Sequence, residues 1–144
     1  MNKELTDALL RDFPILYGLK TVEYLGQKDV PTTFSLYKFE CGDGWEPLIR
    51  GLSEELEHQN LGATNPIQAR QVKEKFGGLR FYTNPVDEYI NEVIQEAEAE
   101  SLKTCEDCGS IDPTITTSSG KDHGWIRTLC PKCREAWEIK RGAS

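Results

Sequence analysis

Four cysteines constrain the last third of this chain more than any other feature. Cys105 and Cys108 form one Cys-x-x-Cys pair, Cys130 and Cys133 a second, and residues 109–129 lie between them. A structural Zn²⁺ takes four soft ligands in a tetrahedron, and two short turns that each present two thiolates supply them. Gly109 follows directly on the second ligand, where a tight knuckle needs a residue tolerant of positive φ. Pro131 fixes the chain between the second pair of ligands. Four thiolates close the coordination sphere, so the expected Zn²⁺ explains folding and leaves no open position for chemistry. Thr114–Thr117 and Trp125–Leu129 then read as two strands around a loop, in the layout of a zinc ribbon. Pro131 can start a closing helix that uses Trp137 and Ile139 to dock the ribbon on the rest of the chain.

The preceding residues carry their own amphipathic patterns. Leu5, Ala8 and Leu9 recur at helical spacing up to Phe13-Pro14. Lys20–Leu25 and Thr32–Glu40 are rich in β-branched and aromatic residues and read as strands, with Gly26–Pro31 as their connection. Cys41-Gly-Asp-Gly-Trp45 marks a sharp boundary before a helix with Trp45, Leu48, Ile49, Leu52 and Leu56 on one stripe. Asp43 is expected to cap that helix and Glu46 to complete a capping box. Gly77-Gly78 predicts the turn of a hairpin over residues 66–83. Asn84 is expected to cap, and Pro85 to open, a helix that buries Ile90, Val93, Ile94 and Ala97 and leaves Glu92, Glu96, Glu98 and Glu100 in water. The prediction is an α+β fold: a small antiparallel sheet with two main helices and a C-terminal zinc ribbon held by four cysteines. Residues 1–102 would form the body and 103–144 the ribbon subdomain.

Charge narrows the function. The formal net charge is −7. Seven basic and six acidic side chains from Lys103 onward leave +1 there and −8 in residues 1–102. A general phosphate-backbone binder needs clustered Lys and Arg, so direct nucleic-acid binding is not expected, whereas a basic protein partner fits. No apolar run reaches the roughly 20 residues of a membrane helix, and the start of the chain has no apolar signal core. The expectation is a soluble protein in a reducing cytoplasm, where thiols hold metal instead of forming disulfides.

Other candidate residues have ordinary explanations beside functional ones. Cys41 stands next to a helix start that can activate a thiol, but a leftover cysteine is more often buried and inert. His58 suits the negative end of its helix, and His123 falls in the ribbon loop. On the hairpin, Lys73, Lys75 and Arg80 interleave with Phe76, Phe81 and Tyr82, a mixture that can grip a phosphate or nucleotide by charge and stacking. Trp45 and the Arg80 region would form a pocket for such a ligand, and Asp43 between its glycines could hold a cation or an arginine, although its capping role already accounts for it. Cross-strand Lys–Glu pairs on a half-exposed hairpin give the same composition.

The chain resembles small phage- and prophage-encoded proteins, most of them without an assigned function. The likeness is carried by Cys41–Trp45 with its Leu48-Ile49 helix, by Gln71-Val-Lys-Glu-Lys-Phe-Gly-Gly-Leu-Arg-Phe-Tyr82, by Cys105-Glu-Asp-Cys108-Gly109 and by Gly124–Cys130. It implies a viral setting, in which small acidic cytoplasmic proteins often inhibit host enzymes or defences. Three classes follow: a stoichiometric inhibitor of a host protein, a nucleotide or small-ligand sequestering protein, and, ranked last for want of a recognisable catalytic set, an enzyme.

Overall fold

The computed structural model describes residues 1–120 and 124–142. Its elements are helices interspersed with short strands, an α+β architecture as predicted. Helix α1 (Lys3–Asp12) is capped by Asn2, whose side chain accepts from Leu5 N–H. The chain then turns back through Leu16 and Tyr17, both buried. The Glu57 carboxylate pins this turn by accepting from the backbone N–H groups of Ile15 at 3.1 Å and Leu16 at 2.9 Å.

Strands β1 (Thr21–Tyr24) and β2 (Gln27–Pro31) form a hairpin, so the second strand lies in the segment expected to connect two strands. Leu25 and Gly26 turn it with φ of 50° and 77°, the left-handed pair that matches strand twist. The predicted strand Thr32–Glu40 is instead helix α2 (Thr33–Tyr37) followed by the two-residue strand β3 (Phe39–Glu40). Thr32 decides this locally: its hydroxyl oxygen accepts from Ser35 N–H at 3.0 Å and starts a helical turn against the β-rich composition.

A 3₁₀ turn at Asp43–Trp45 leads into helix α3 (Glu46–Gln59). The chain enters α3 already helical at Trp45, so there is no extended residue from which a side chain can cap. The expected capping box is therefore absent. Asp43 accepts from Asn2 N–H at 2.7 Å and Asn2 Nδ2 at 3.0 Å, and Glu46 accepts from Arg50 Nε at 2.8 Å. After α3, Asn60 holds the loop with two bonds to the Ile67 backbone, accepting from its N–H at 2.7 Å and donating to its carbonyl at 2.9 Å.

The main sheet has the order β3-β4-β5, with β4 (Gln68–Lys75) antiparallel to β5 (Gly78–Asn84) and parallel to β3. Phe76 and Gly77, at φ of 54° and 84°, make the turn one residue earlier than Gly77-Gly78 would. Helix α4 (Glu88–Ser101) begins at Asp87, which accepts from Ile90 N–H, because Asn84 still belongs to β5. Helix α4 covers the outer edge of β5. Ser101 Oγ accepts from Leu79 N–H at 2.9 Å and Glu98 accepts from Phe81 N–H at 3.1 Å, so Glu98 serves the sheet and not only the solvent. The core between helices and sheet contains Trp45, Ile49, Leu56, Val72 and Leu79, with Tyr17, Phe34 and Phe39 packed ring to ring at 5.1–5.2 Å.

The last segment contains strands β6 (Thr116–Ser118) and β7 (Arg127–Leu129), paired antiparallel, and helix α5 (Pro131–Gly142). Trp137 is buried with Cys105, Leu129 and Cys130, so it closes the ribbon's own core instead of docking on the body. Ile139 is exposed, contrary to expectation. His123 lies outside the described residues.

Candidate metal centre and its seat on the body

Cys105 and Cys108 come from the knuckle after α4, Cys130 from the end of β7 and Cys133 from the first turn of α5. All four sulfurs lie within 4.8 Å of one another, and Cys108 Sγ is 3.7 Å from Cys130 Sγ. Four thiolates at about 2.3 Å from one tetrahedral ion would sit about 3.8 Å apart. The cluster thus has the shape of a four-thiolate cage that can hold a metal ion. Gly109, at φ of 80°, allows the first knuckle to close, and its N–H donates to Cys105 O at 2.9 Å. Cys133 N–H donates to Cys130 Sγ at 3.4 Å, which holds the Cys130 thiol below the ordinary range. Burial pushes the neighbouring Cys133 thiol up. A cation among the four sulfurs compensates the charge that their crowding opposes.

The knuckle is seated on the Cys41–Trp45 loop. Gly44 N–H donates to Glu106 O at 2.7 Å, Gly42 N–H donates to Glu106 Oε2 at 2.9 Å, and the Trp45 indole donates to Thr104 O at 2.9 Å. A Cβ on Gly44 would lie 2.3 Å from Cys105 O, and one on Gly42 would lie 2.4 Å from Glu106 O. These glycines let one backbone lie against another. The hairpin tip makes a second seat. Thr128 donates to Gly77 O at 2.6 Å, so the Thr117–Thr128 hydroxyl bond takes its proton from Thr117. Trp125 Nε1 donates to Glu74, whose other oxygen accepts from Gly77 N–H.

Arg127 locks the joint from the ribbon side. Its guanidinium reaches Asp107 at 2.6 Å and Glu106 at 3.3 Å, and it stacks near the rings of Trp125 at 5.1 Å and Trp137 at 5.5 Å. Burial raises the Glu106 carboxyl above its ordinary range, and Arg127 opposes that rise. Cys41 lies behind this contact. Burial pushes its thiol up to about 12, which leaves it protonated at neutral pH.

The candidate ligand residues are not gathered in one place. Trp45 is wholly buried, with no face for a ligand to stack on, and Asp43 is occupied by Asn2. Lys73 lies opposite Arg80, and Gln71 opposite Tyr82, on the sheet face away from Val72 and Phe81. Within the hairpin the partner of Lys73 is thus another cation, while on its other side, across the parallel pair, it lies opposite Glu40 of β3. Arg80 donates to Leu79 O at 3.0 Å. Phe76 is exposed at the hairpin tip with the Lys75 ammonium 5.7 Å from its ring centroid. Glu106, Arg127, Thr104 and Glu74 were not singled out from sequence; the available signal was that each sits within or beside the Gln71–Tyr82, Cys105–Gly109 or Gly124–Cys130 segment.

No family model, curated protein or solved structure matches the chain. Among the described residues, no helix is long and apolar enough to cross a membrane.

Proposed function

We propose that this chain is a Zn²⁺-stapled binding protein of phage type that inhibits a host protein by occupying it one to one in the host cytoplasm, without turnover. Zn²⁺ suits an all-thiolate tetrahedral cage that leaves no site for substrate. The observation that carries the inhibitor reading is the charge of the helical face. Helix α4 contains five Glu and no Lys or Arg, and α3 contains four Glu and one Arg. That arginine, Arg50, is spent on Glu46 and Asp12 at 2.8 Å each. Such a field steers a basic protein surface toward these helices and raises its association rate at low salt. The motif residues, meanwhile, are occupied in joining ribbon to body, which is a structural task.

The test is a titration. A host protein retained on the immobilised chain is assayed for its own activity against increasing amounts of the chain. The expected result is loss that is complete near one equivalent and weakened by salt. Complete loss at a small fraction of an equivalent would replace this reading with an enzymatic one. Tight binding of a nucleotide with no protein present would replace it with sequestration through Lys73, Arg80 and Tyr82. Elemental analysis should find one Zn²⁺ per chain.

A further inference from the structure

Helices α3 and α4 leave a groove of about 630 Å³ between them. Its floor is apolar, made by Leu48, Leu52, Val93 and Ala97. Its rim is acidic: Glu55 stands on α3, and Glu92, Glu96 and Glu100 stand along α4, with no Lys or Arg among the lining residues. Tyr89 crosses between the helices by donating its hydroxyl to Glu55. Among the described residues, the cation paired with this rim is Lys103, 3.7 Å from Glu100 and itself largely exposed. Glu92, Glu96 and Glu100 recur every four residues, so they stand about 6 Å apart along one edge of the helix.

A glycine supplies an independent observation. Gly51 lies inside α3 and lines the groove, where glycine weakens a helix relative to alanine. A Cβ there would meet nothing within 4 Å, so the fold of this chain does not require its absence. What the missing side chain provides is a shallow place where a second backbone can approach α3 closely.

We infer that the groove seats a basic amphipathic helix of another protein. Its apolar residues at i, i+3 or i+4, and i+7 lie on the Leu48–Val93 floor, its backbone crosses at Gly51, and its Lys or Arg side chains meet Glu92, Glu96 and Glu100. This rests on the binding-protein reading and names the class of partner surface. Apolar floor and acidic rim together select against a peptide that has charge without a stripe, or a stripe without charge.

The probe is a synthetic peptide of about 18 residues, long enough to be helical, with leucines on one stripe and lysines elsewhere. A scrambled peptide of the same composition spreads the leucines around the helix. Calorimetric titration against the metal-loaded full chain should show the striped peptide binding at least about tenfold more tightly than the scramble, a difference of about 1.4 kcal/mol. Gly51→Leu, which fills the shallow point with a good helix former, should weaken the striped peptide by about tenfold or more. Glu92→Lys with Glu96→Lys should do the same from the rim, while Lys73→Glu on the hairpin leaves binding unchanged. Equal binding of the two peptides overturns the proposal, as do groove variants that melt like the parent and bind within about twofold of it. A groove variant that loses the peptide yet still inhibits the host protein one to one also overturns it, and leaves the binding-protein reading standing. Inhibition by turnover would remove that reading without altering the peptide result.

Discussion

Residues 1–102 enclose nineteen side chains in one apolar cluster, whereas the described part of the ribbon encloses four, two of which are cysteines. The body buries aromatic and aliphatic side chains from four helices and the main sheet. The ribbon has strands of three residues and one helix, which is too little apolar area to offset the entropy of ordering its loops. A metal ion held by its four clustered cysteines would supply the order it lacks. The body therefore contains its own reason to fold, and the ribbon has to borrow one, from an ion that its cysteines can hold and from the body surface it sits on.

The largest test of this contrast removes a ligand. Cys105→Ser breaks the cage at its most buried sulfur. Structural zinc contributes about 10–16 kcal/mol of apparent binding energy to small domains, far beyond what the ribbon core can replace. Hydrogen exchange should show protection lost in β6, β7 and α5 and retained in α1, α3 and the β4–β5 hairpin. Helical circular dichroism should fall only by the α5 contribution. A collapse of the whole helical signal would mean that the metal organises both regions.

Arg127→Met comes next. It strands the buried Glu106 carboxylate beside the joint, and breaking such a pair costs about 3–5 kcal/mol. Urea denaturation followed separately by tryptophan fluorescence and by helical circular dichroism should show the ribbon unfolding first. Coincident, unshifted transitions would mean that Arg127 holds nothing.

Gly44→Ala attacks the same joint from the body side. The new methyl meets the Cys105 carbonyl at 2.3 Å and the Gly109 nitrogen at 2.5 Å, both of them backbone atoms that cannot rotate away. Overpacking of this kind costs about 1–3 kcal/mol. Calorimetry should show the single melt broaden or split while the metal content stays at one per chain. A sharp melt at the parent temperature would show that the two backbones lie farther apart than the structure places them.

The features that were legible in the sequence are those specified by local chemistry. Ligand spacing fixes the knuckles, and apolar stripes mark α1, α3 and α4, because each signal fits within a few turns of chain. Features determined by a distant partner were not legible. Strand β2 was missed for a different, local reason: Gln27–Pro31 has almost no apolar face, and it exists because the Leu25-Gly26 turn folds it onto β1. Glu57 and Glu98 look like solvated charges until the backbone groups they accept from are brought to them by tertiary contacts. Gly42 and Gly44 read only as part of a sharp boundary capped by Asp43, whereas their missing side chains make room for a knuckle that begins at Cys105. The groove depends on the distance between α3 and α4, which neither stripe alone encodes.

The smallest effect sharpens the comparison most, because it sets one glycine against another. Gly44 and Gly51 belong to the same stretch of chain, and the same substitution should act on them with opposite sign. At Gly44 the ribbon backbone occupies the space that a methyl would take, whereas at Gly51 that space is open. Gly51 has an ordinary helical φ, so alanine is accommodated without strain. Alanine in a helix interior is favoured over glycine by about 1 kcal/mol, partly because the unfolded chain loses fewer conformations. Gly51→Ala should therefore raise the thermal midpoint by a few degrees and leave metal content and ribbon protection unchanged. A lower midpoint would show that the outer face of α3 is already in contact with something in the free protein. In that case the contrast between a joint made by close backbone approach and an open helical face would fail at this residue.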